Sequence, residues 1–282
     1  MIKNFWWALR FSSEITAVPS VVRWFGRDFA AWRDAQGGPH LSLGDSTFDA
    51  LDRYGFLWAF IGDRDLPENE RPPIPTWPEF DDPTFRATPG TFSFDANYER
   101  VVENGIDMAH TPFVHHGFIG TRDQPEIPDY SVVESEWSGE ATVTLRPVPP
   151  SGVFRYINKV RKDVVTTNAW YAPSLLKIDI ALPLGRLVIY DSNIPIDDSH
   201  TLVRWVVLRN FLTGAWADGS SRKRTLRIFD QDRPIVEAQR PELLPFDLSA
   251  ELHVKSDAMT LSFRRMRDRC LERGWLTKET VS

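Results

Sequence analysis

TFSFDANYERVVENGIDMAH, residues 91–110, begins as one kind of structure and ends as another. Its first four residues alternate polar and apolar, the period of a strand, and the residues after Asn97 take helical spacing. Downstream come YSVVESEW, ATVTLRPV, VVTTNAWY, LLKIDIALP, RLVIYDSN and TLVRWVVLRNF, several of them alternating as an antiparallel sheet with one covered face requires. From about residue 221 the chain turns helical again, in SSRKRTLRIFDQDRPIVEAQ and SDAMTLSFRRMRDRCLERGW. Strands gathered in one run and flanked by helices predict an α+β fold, not alternating α/β. Upstream, VVRWF and FAAW read as short strands around a GRD turn, AQGGPH as a second turn, and RYGFLWAFIGD as a further buried strand. The stretch 64–90 is rich in proline and reads as an ordered connector. The expected organisation is a small β unit over 1–65, a connector over 66–90 and a main domain over 91–282.

The same region carries the chemistry. In ENGIDMAHTPFVHH, residues 103–116, three histidines and two carboxylates sit among Ile, Met, Phe and Val. With residues 98–110 helical, Glu103, Asp107 and His110 fall on one face. Pro112 disfavours helical geometry at Thr111, so the helix ends or kinks there and His115 arrives from the following turn. His116 then faces away from His115. Two neutral imidazoles and one carboxylate leave coordination positions open, which suits non-haem Fe(II) and also fits Zn2+ with a bound water.

The carboxylate must come from another segment. On a helical wheel, Ile228, Phe229, Ile235 and Val236 form an inward stripe. Asp232 falls near the middle of that stripe and Asp230 well off it. A carboxylate buried there alone would be costly, so Asp232 is expected to be paired or metal-bound. The Arg-rich run RRMRDR reads as a solvated helix face, and His40, His200 and His253 receive no role.

Composition narrows the rest. The chain has 282 residues and a net charge of −6, with no basic domain, so nucleic acid is not expected as a partner. No apolar run approaches the ~18 residues of a membrane span, and the start lacks the features of a signal peptide. Eleven Trp and eighteen Phe point to a large core, an apolar ligand cavity, or both. The single cysteine, Cys270, cannot form an internal disulfide and fits a reducing, cytoplasmic setting. One thiol also cannot hold an iron–sulfur cluster, which needs at least two even when histidines supply the rest.

NYERVVENGIDMAHTPFVH, 97–115, resembles the iron-binding signature of the Rieske-type non-haem iron oxygenases: Glu-Asn, two residues, Asp, two residues, His, four residues, His. Glu103, Asn104, Asp107, His110 and His115 match it. FDQDRPIVEAQRPELLPFDLSAELHVKSDAMTLSFRR resembles the C-terminal part of the branch containing vanillate O-demethylase and pheophorbide a oxygenase. VVRWFGRDFAAWRDAQGGPHLSLG and DRYGFLWAFIGD resemble the opening and close of that family's Rieske domain. The resemblance implies a helix-grip (START-like) catalytic sheet preceded by a Rieske-like β unit. It also implies iron held by His110, His115 and Asp232, an assembly of three or more subunits, and Asp107 at a subunit boundary passing electrons to the iron. The departure is that only DSTFD joins the landmarks between which the Cys-x-His and Cys-x-x-His pairs should lie. The β unit is truncated and carries no [2Fe-2S] cluster.

Three functions stay open at this level. One is the catalytic component of an oxygenase, using O2, a small apolar or aromatic substrate, and electrons from a separate Rieske-bearing chain or a ferredoxin and reductase. A second is an O2-independent metal-dependent hydrolase or lyase with Asp107 or Glu103 as general base. The third is a non-catalytic subunit of a hetero-oligomer.

Overall fold

The computed structural model describes residues 2–115, 122, 125–145 and 163–276. His116 lies outside them. The apolar and aromatic runs of the first sixty residues form β1 (Phe5–Phe11), β2 (Ser20–Trp24), β3 (Arg27–Arg33), β4 (Pro39–Leu43), β5 (Ser46–Phe48), β6 (Ala50–Arg53) and β7 (Phe56–Ile61). They pair into two antiparallel sheets, in the orders β1-β7-β6 and β2-β3-β4-β5. The turn joining β2 to β3 is tighter than its sequence suggests. Phe25 and Gly26 both have positive φ (44° and 71°), as a two-residue hairpin turn of the right twist demands, so Arg27 and Asp28 already belong to β3.

The remaining strands are β8 (Arg86–Phe94), β9 (Val133–Glu134), β10 (Ser138–Leu145), β11 (Val164–Tyr171), β12 (Leu175–Leu182), β13 (Gly185–Pro195) and β14 (Thr201–Arg209). They form one antiparallel sheet in the order β8-β14-β13-β12-β11-β10-β9. Pro89 sits in β8, an edge strand of the described sheet, where a missing N–H is tolerated. The helices are α1 (Tyr98–Ile106), α2 (Thr111–Val114), α3 (Asp218–Val236) and α4 (Ala258–Glu272). The architecture is thus α+β, as the order of patterns predicts.

Each helix is fixed to the large sheet by specific contacts. Phe229 of α3 stacks on Phe92 of β8, with ring centroids 5.2 Å apart. Trp170 of β11 donates its indole N–H to Ser262 of α4 at 2.7 Å. On the other face, Val188, Tyr190, Val206 and Leu208 share a core with Phe56, Trp58 and Trp77. The small sheets reach α1 through aromatic rings, Trp7 and Phe25 both meeting Tyr98 edge-on.

Three expectations for the helices need correction. α1 ends at Ile106, not at 110, because Asp107 adopts an extended conformation (φ −71°, ψ 110°) while its N–H still bonds the Glu103 carbonyl. Pro112 does not end a helix. It lies in the first turn of α2, where the missing N–H would have had no helical partner. The Arg-rich run of α4 is not a solvated face either: Arg264 and Arg267 are buried, bonded to Glu103 and Glu99 respectively.

Candidate metal centre

The break after α1 decides the geometry of the site. With Asp107 extended, residues 107–110 bend away from the α1 axis, and the expected common face of Glu103, Asp107 and His110 does not form. His110 and His115 instead cap the two ends of the single turn of α2. Their Nε2 atoms come within 3.2 Å of each other. Asp232 of α3 brings its Oδ1 to 3.1 Å from His115 Nε2 and 3.5 Å from His110 Nε2. One donor atom from each of the three residues lies within 4.8 Å of the others, a spacing that a single cation can bridge.

The protons on the imidazoles bear on whether a cation fits. His110 Nδ1 is 2.5 Å from the Asp107 main-chain oxygen, which can only accept, so that nitrogen carries the hydrogen. His115 Nδ1 faces Gln231 Oε1 at 3.1 Å and is a donor for the same reason. Both Nε2 atoms therefore present lone pairs to one another and to the Asp232 carboxylate. Three lone-pair donors crowded together in a buried place, with the far side of each ring anchored, match a divalent cation bound by two histidines and a carboxylate. Asp232 Oδ1 is itself buried and accepts no hydrogen bond among the described residues, which leaves it available as the third donor to the same cation.

The helical wheel of α3 places the residues correctly with one exception. Thr225, Asp232 and Val236 are buried, and Ile228 and Phe229 line the cavity beside them. Ile235 is 42% exposed and lines the outer groove, about 120° round the helix from Phe229. α3 passes through Pro234 without ending.

Glu103 and Asp107 have other surroundings. The Glu103 carboxylate is buried and receives Arg264 Nε at 2.6 Å and Arg100 at 3.3 Å, with both arginines also bonded to Glu251. Asp107 accepts from the Ala109 N–H at 2.7 Å and lines an outer groove with Asn104, His110, Ile235, Leu252 and His253. Asn104 and His110 line the inner cavity as well, so the His110 ring stands between the two spaces. His40 and His200 pair with Asp34 and Asp197, and His253 lies 3.7 Å from Asp257. Cys270 is buried, and burial pushes its thiol up to about 12.

The inner cavity is floored by β11–β13 and roofed by α1, α2 and α3. Phe94, Val101, Met108, Leu145, Leu176, Ile178, Ile180 and Ile189 make most of its wall. Behind its mouth it is a narrow, largely apolar space of about 80 Å3. Three polar side chains of the floor escape notice in a search for metal ligands: Thr166, Asn168 and Asp191. Asp191 was discoverable, because in the alternating run of β13 it shares a face with Ile189. Burial, helped by the Asp232 charge, pushes its carboxyl up to about 8.

Comparison with known proteins agrees with this geometry. The vanillate O-demethylase oxygenase C-terminal domain family matches residues 94–273. The probable methylxanthine N7-demethylase NdmC of Pseudomonas sp. strain TJI-51 is 29% identical over 236 residues, covering 82% of this chain and 81% of that protein. A vanillate O-demethylase oxygenase subunit of Pseudomonas sp. strain HR199 is 26% identical over 254 residues, covering 80% and 69%. The crystal structure of dicamba monooxygenase bound to dicamba superposes with a TM-score of 0.80 at 17% identity, covering 97% of this chain and 99% of that one.

Proposed function

The chain belongs to the vanillate O-demethylase oxygenase C-terminal domain family of the Rieske-type oxygenases, and from that premise we propose that it is the catalytic component of a non-haem iron oxygenase acting on a small apolar or aromatic molecule. One observation carries the reading: two histidine lone pairs and one carboxylate converge at the edge of an apolar cavity. In this reading His110, His115 and Asp232 hold Fe(II), which supplies the binding and reduction of O2. The apolar wall excludes bulk water and holds a substrate ring beside the site. Gln231 and the Asp107 carbonyl fix the tautomer and tilt of the two imidazoles. Glu103 holds α1 to α4 through Arg264 and takes no part in proton transfer. Asn104 lines the wall between cavity and groove.

Electrons come from a separate chain carrying a Rieske cluster, or from a ferredoxin. Cys270, the single thiol of the sequence, is buried in α4 and cannot build such a cluster. The donor docks at the outer groove beside Asp107, where the His110 ring borders both the groove and the inner cavity. Residues 1–65 are then a cluster-less remnant of a Rieske-like unit, and residues 91–282 do the chemistry within a trimer or larger assembly.

The test is anaerobic loading with Fe(II), followed by O2 and a chemically reduced Rieske protein encoded beside this chain. Substrate-dependent O2 uptake of one equivalent per product is expected, lost in Asp232→Ala. Turnover of the substrate at an unchanged rate without O2, on the zinc-loaded protein, would replace this reading with the hydrolase or lyase.

A further inference from the structure

At the end of the large sheet where β12 turns into β13 and β14 leads to α3, two loops carry apolar side chains into solvent. Leu182 pairs with Gly185, so Pro183 and Leu184 alone make the turn between β12 and β13, a place usually given to Gly, Asn or Asp. Leu184 is 75% exposed, and Leu212 and Trp216 of the neighbouring loop are 54% and 76% exposed. Hydrogen bonds join the two loops. Asn210 donates its N–H to the Arg186 carbonyl at 3.2 Å, and its side-chain oxygen accepts from the Arg186 N–H at 2.7 Å. A methyl group at Gly185 would stand 3.2 Å from the Phe211 ring, and a side chain at Gly214 would run into the Trp216 indole. The apolar groups thus form one tip, unlike leucines scattered singly over a surface.

The tip is held in shape from beneath. Leu212 has a φ of 49°, which residues other than glycine rarely adopt, and the buried Arg209 braces it by donating its Nε–H to the Leu212 carbonyl at 3.2 Å. The same guanidinium bonds Thr88 and Asp218. Strain is kept in a loop whose leucine is turned to solvent, which points to a partner outside the chain. Charge says what kind. The chain carries −6, yet residues 209–227 hold five basic residues and one acid. That acid, Asp218, is taken by Arg86 and Arg209. Arg222, Lys223 and Arg224, in the first turns of α3, are exposed. Leucines and a tryptophan at a tip, with lysine and arginine following in the chain, match a layer of anionic headgroups, where Trp sits at the water boundary and cations meet phosphates. Lysine is depleted from protein–protein interfaces, and a lipid surface needs no fitted counterface.

We propose that this tip seats the chain on an anionic membrane surface, with Leu184, Leu212 and Trp216 in the headgroup layer and the start of α3 against the lipid phosphates. The contact is peripheral: among the described residues no helix is long and apolar enough to cross a membrane. Ile180, four residues before Leu184, and Thr225, next to Arg224, line the inner cavity. The seated chain therefore has its cavity near a bilayer, in which apolar molecules concentrate. Docking stands on the surface alone and needs no turnover.

Co-sedimentation of the full chain with vesicles tests this. In about 0.1 M NaCl, vesicles of phosphatidylcholine and phosphatidylglycerol in equal parts should bind it at least tenfold more tightly than pure phosphatidylcholine, and raising the salt to about 0.5 M should weaken binding fivefold or more. Leu184→Ser with Trp216→Ser should weaken binding to the mixed vesicles tenfold or more, and so should Lys223→Glu with Arg224→Glu. All four positions are exposed, so the thermal midpoints of both variants should stay within about 2 °C of the parent, which separates lost docking from lost fold. Leu212→Asn, with a residue that tolerates positive φ, gives a second reading at the same tip and should weaken binding at least threefold. No binding to the mixed vesicles, or binding that either pair of changes leaves intact, overturns the proposal. So does light scattering without lipid in which Leu184→Ser with Trp216→Ser breaks up an oligomer, because the tip is then a contact between copies of this chain.

Discussion

Replacing Glu103 by Gln separates a structural carboxylate from a catalytic one. Glu103 is 6% exposed and accepts from Arg264 at 2.6 and 3.1 Å and from Arg100 at 3.3 Å. Both arginines are themselves buried. Removing one member of such a pair costs ~3–5 kcal/mol, because the remaining charge stays desolvated and unbalanced. Here Glu251 still bonds both guanidinium groups, so the lower end applies, about 3 kcal/mol. At roughly 2–4 °C per kcal/mol for a domain of this size, the midpoint of thermal unfolding should fall by about 6–12 °C. Urea unfolding of the metal-free protein gives the free energy directly, and metal analysis reads the site. The expected result is lower stability, with Fe(II) still bound at one equivalent under conditions where the protein is folded. A double replacement, Glu103→Met with Arg264→Met, should cost less than the sum of its single changes, since neither leaves the other's charge behind. Unchanged stability together with lost turnover would refute the structural assignment and return Glu103 to the role of an acid or base.

Gln231→Leu removes the acceptor that fixes the His115 ring, and Fe(II) affinity measured against a competing chelator should fall 10–100-fold with the fold intact. Gly105→Ala would put a methyl group 2.4 Å from the Leu176 side chain, pushing it into the cavity; ligand affinity should drop tenfold or more, while stability changes by no more than ~1 kcal/mol, because Ala also favours the helix. Hydrogen bonds from Arg86 and then Arg209 hold the Asp218 carboxyl well below the usual carboxylate range. A depressed folded-state pKa stabilises above the unfolded value of about 4 and loses that gain as pH falls through the folded one, so Asp218→Asn should flatten the decline of thermal stability below about pH 4.

The strands were legible in the sequence because their information is local. The run 164–171 is a strand from end to end, and 186–193 and 201–211 depart from β13 and β14 only at their ends. The inward place of Asp232 was legible for the same reason, since a wheel needs only a regular helix. What escaped is set by distant partners. Arg264 reads as surface until Glu103 is placed beside it across the α1–α4 interface. The bend at Asp107 likewise could not be seen from propensity, because residues 107–110 contain nothing that forbids a helix. Pro112 looked like the breaker and instead begins the next turn. Thr166 and Asn168 lie on β11 and Asp191 on β13, and only the register of β11, β12 and β13 brings them to one floor.

A short turn and a long helix from remote parts of the chain are held at the metal-binding position by side chains alone. His110 and His115 flank α2, a single turn, and Asp232 lies in α3, near the end of a nineteen-residue helix. An ion seated there would act as a clasp across the roof of the cavity. Its departure would leave like-natured donor atoms facing one another, and α2 would lose its firmest tie to α3. The cavity roof would then breathe more freely than its floor, so that amide hydrogen exchange in α2, slow when loaded and fast when stripped, would report the state of the centre without any substrate being turned over.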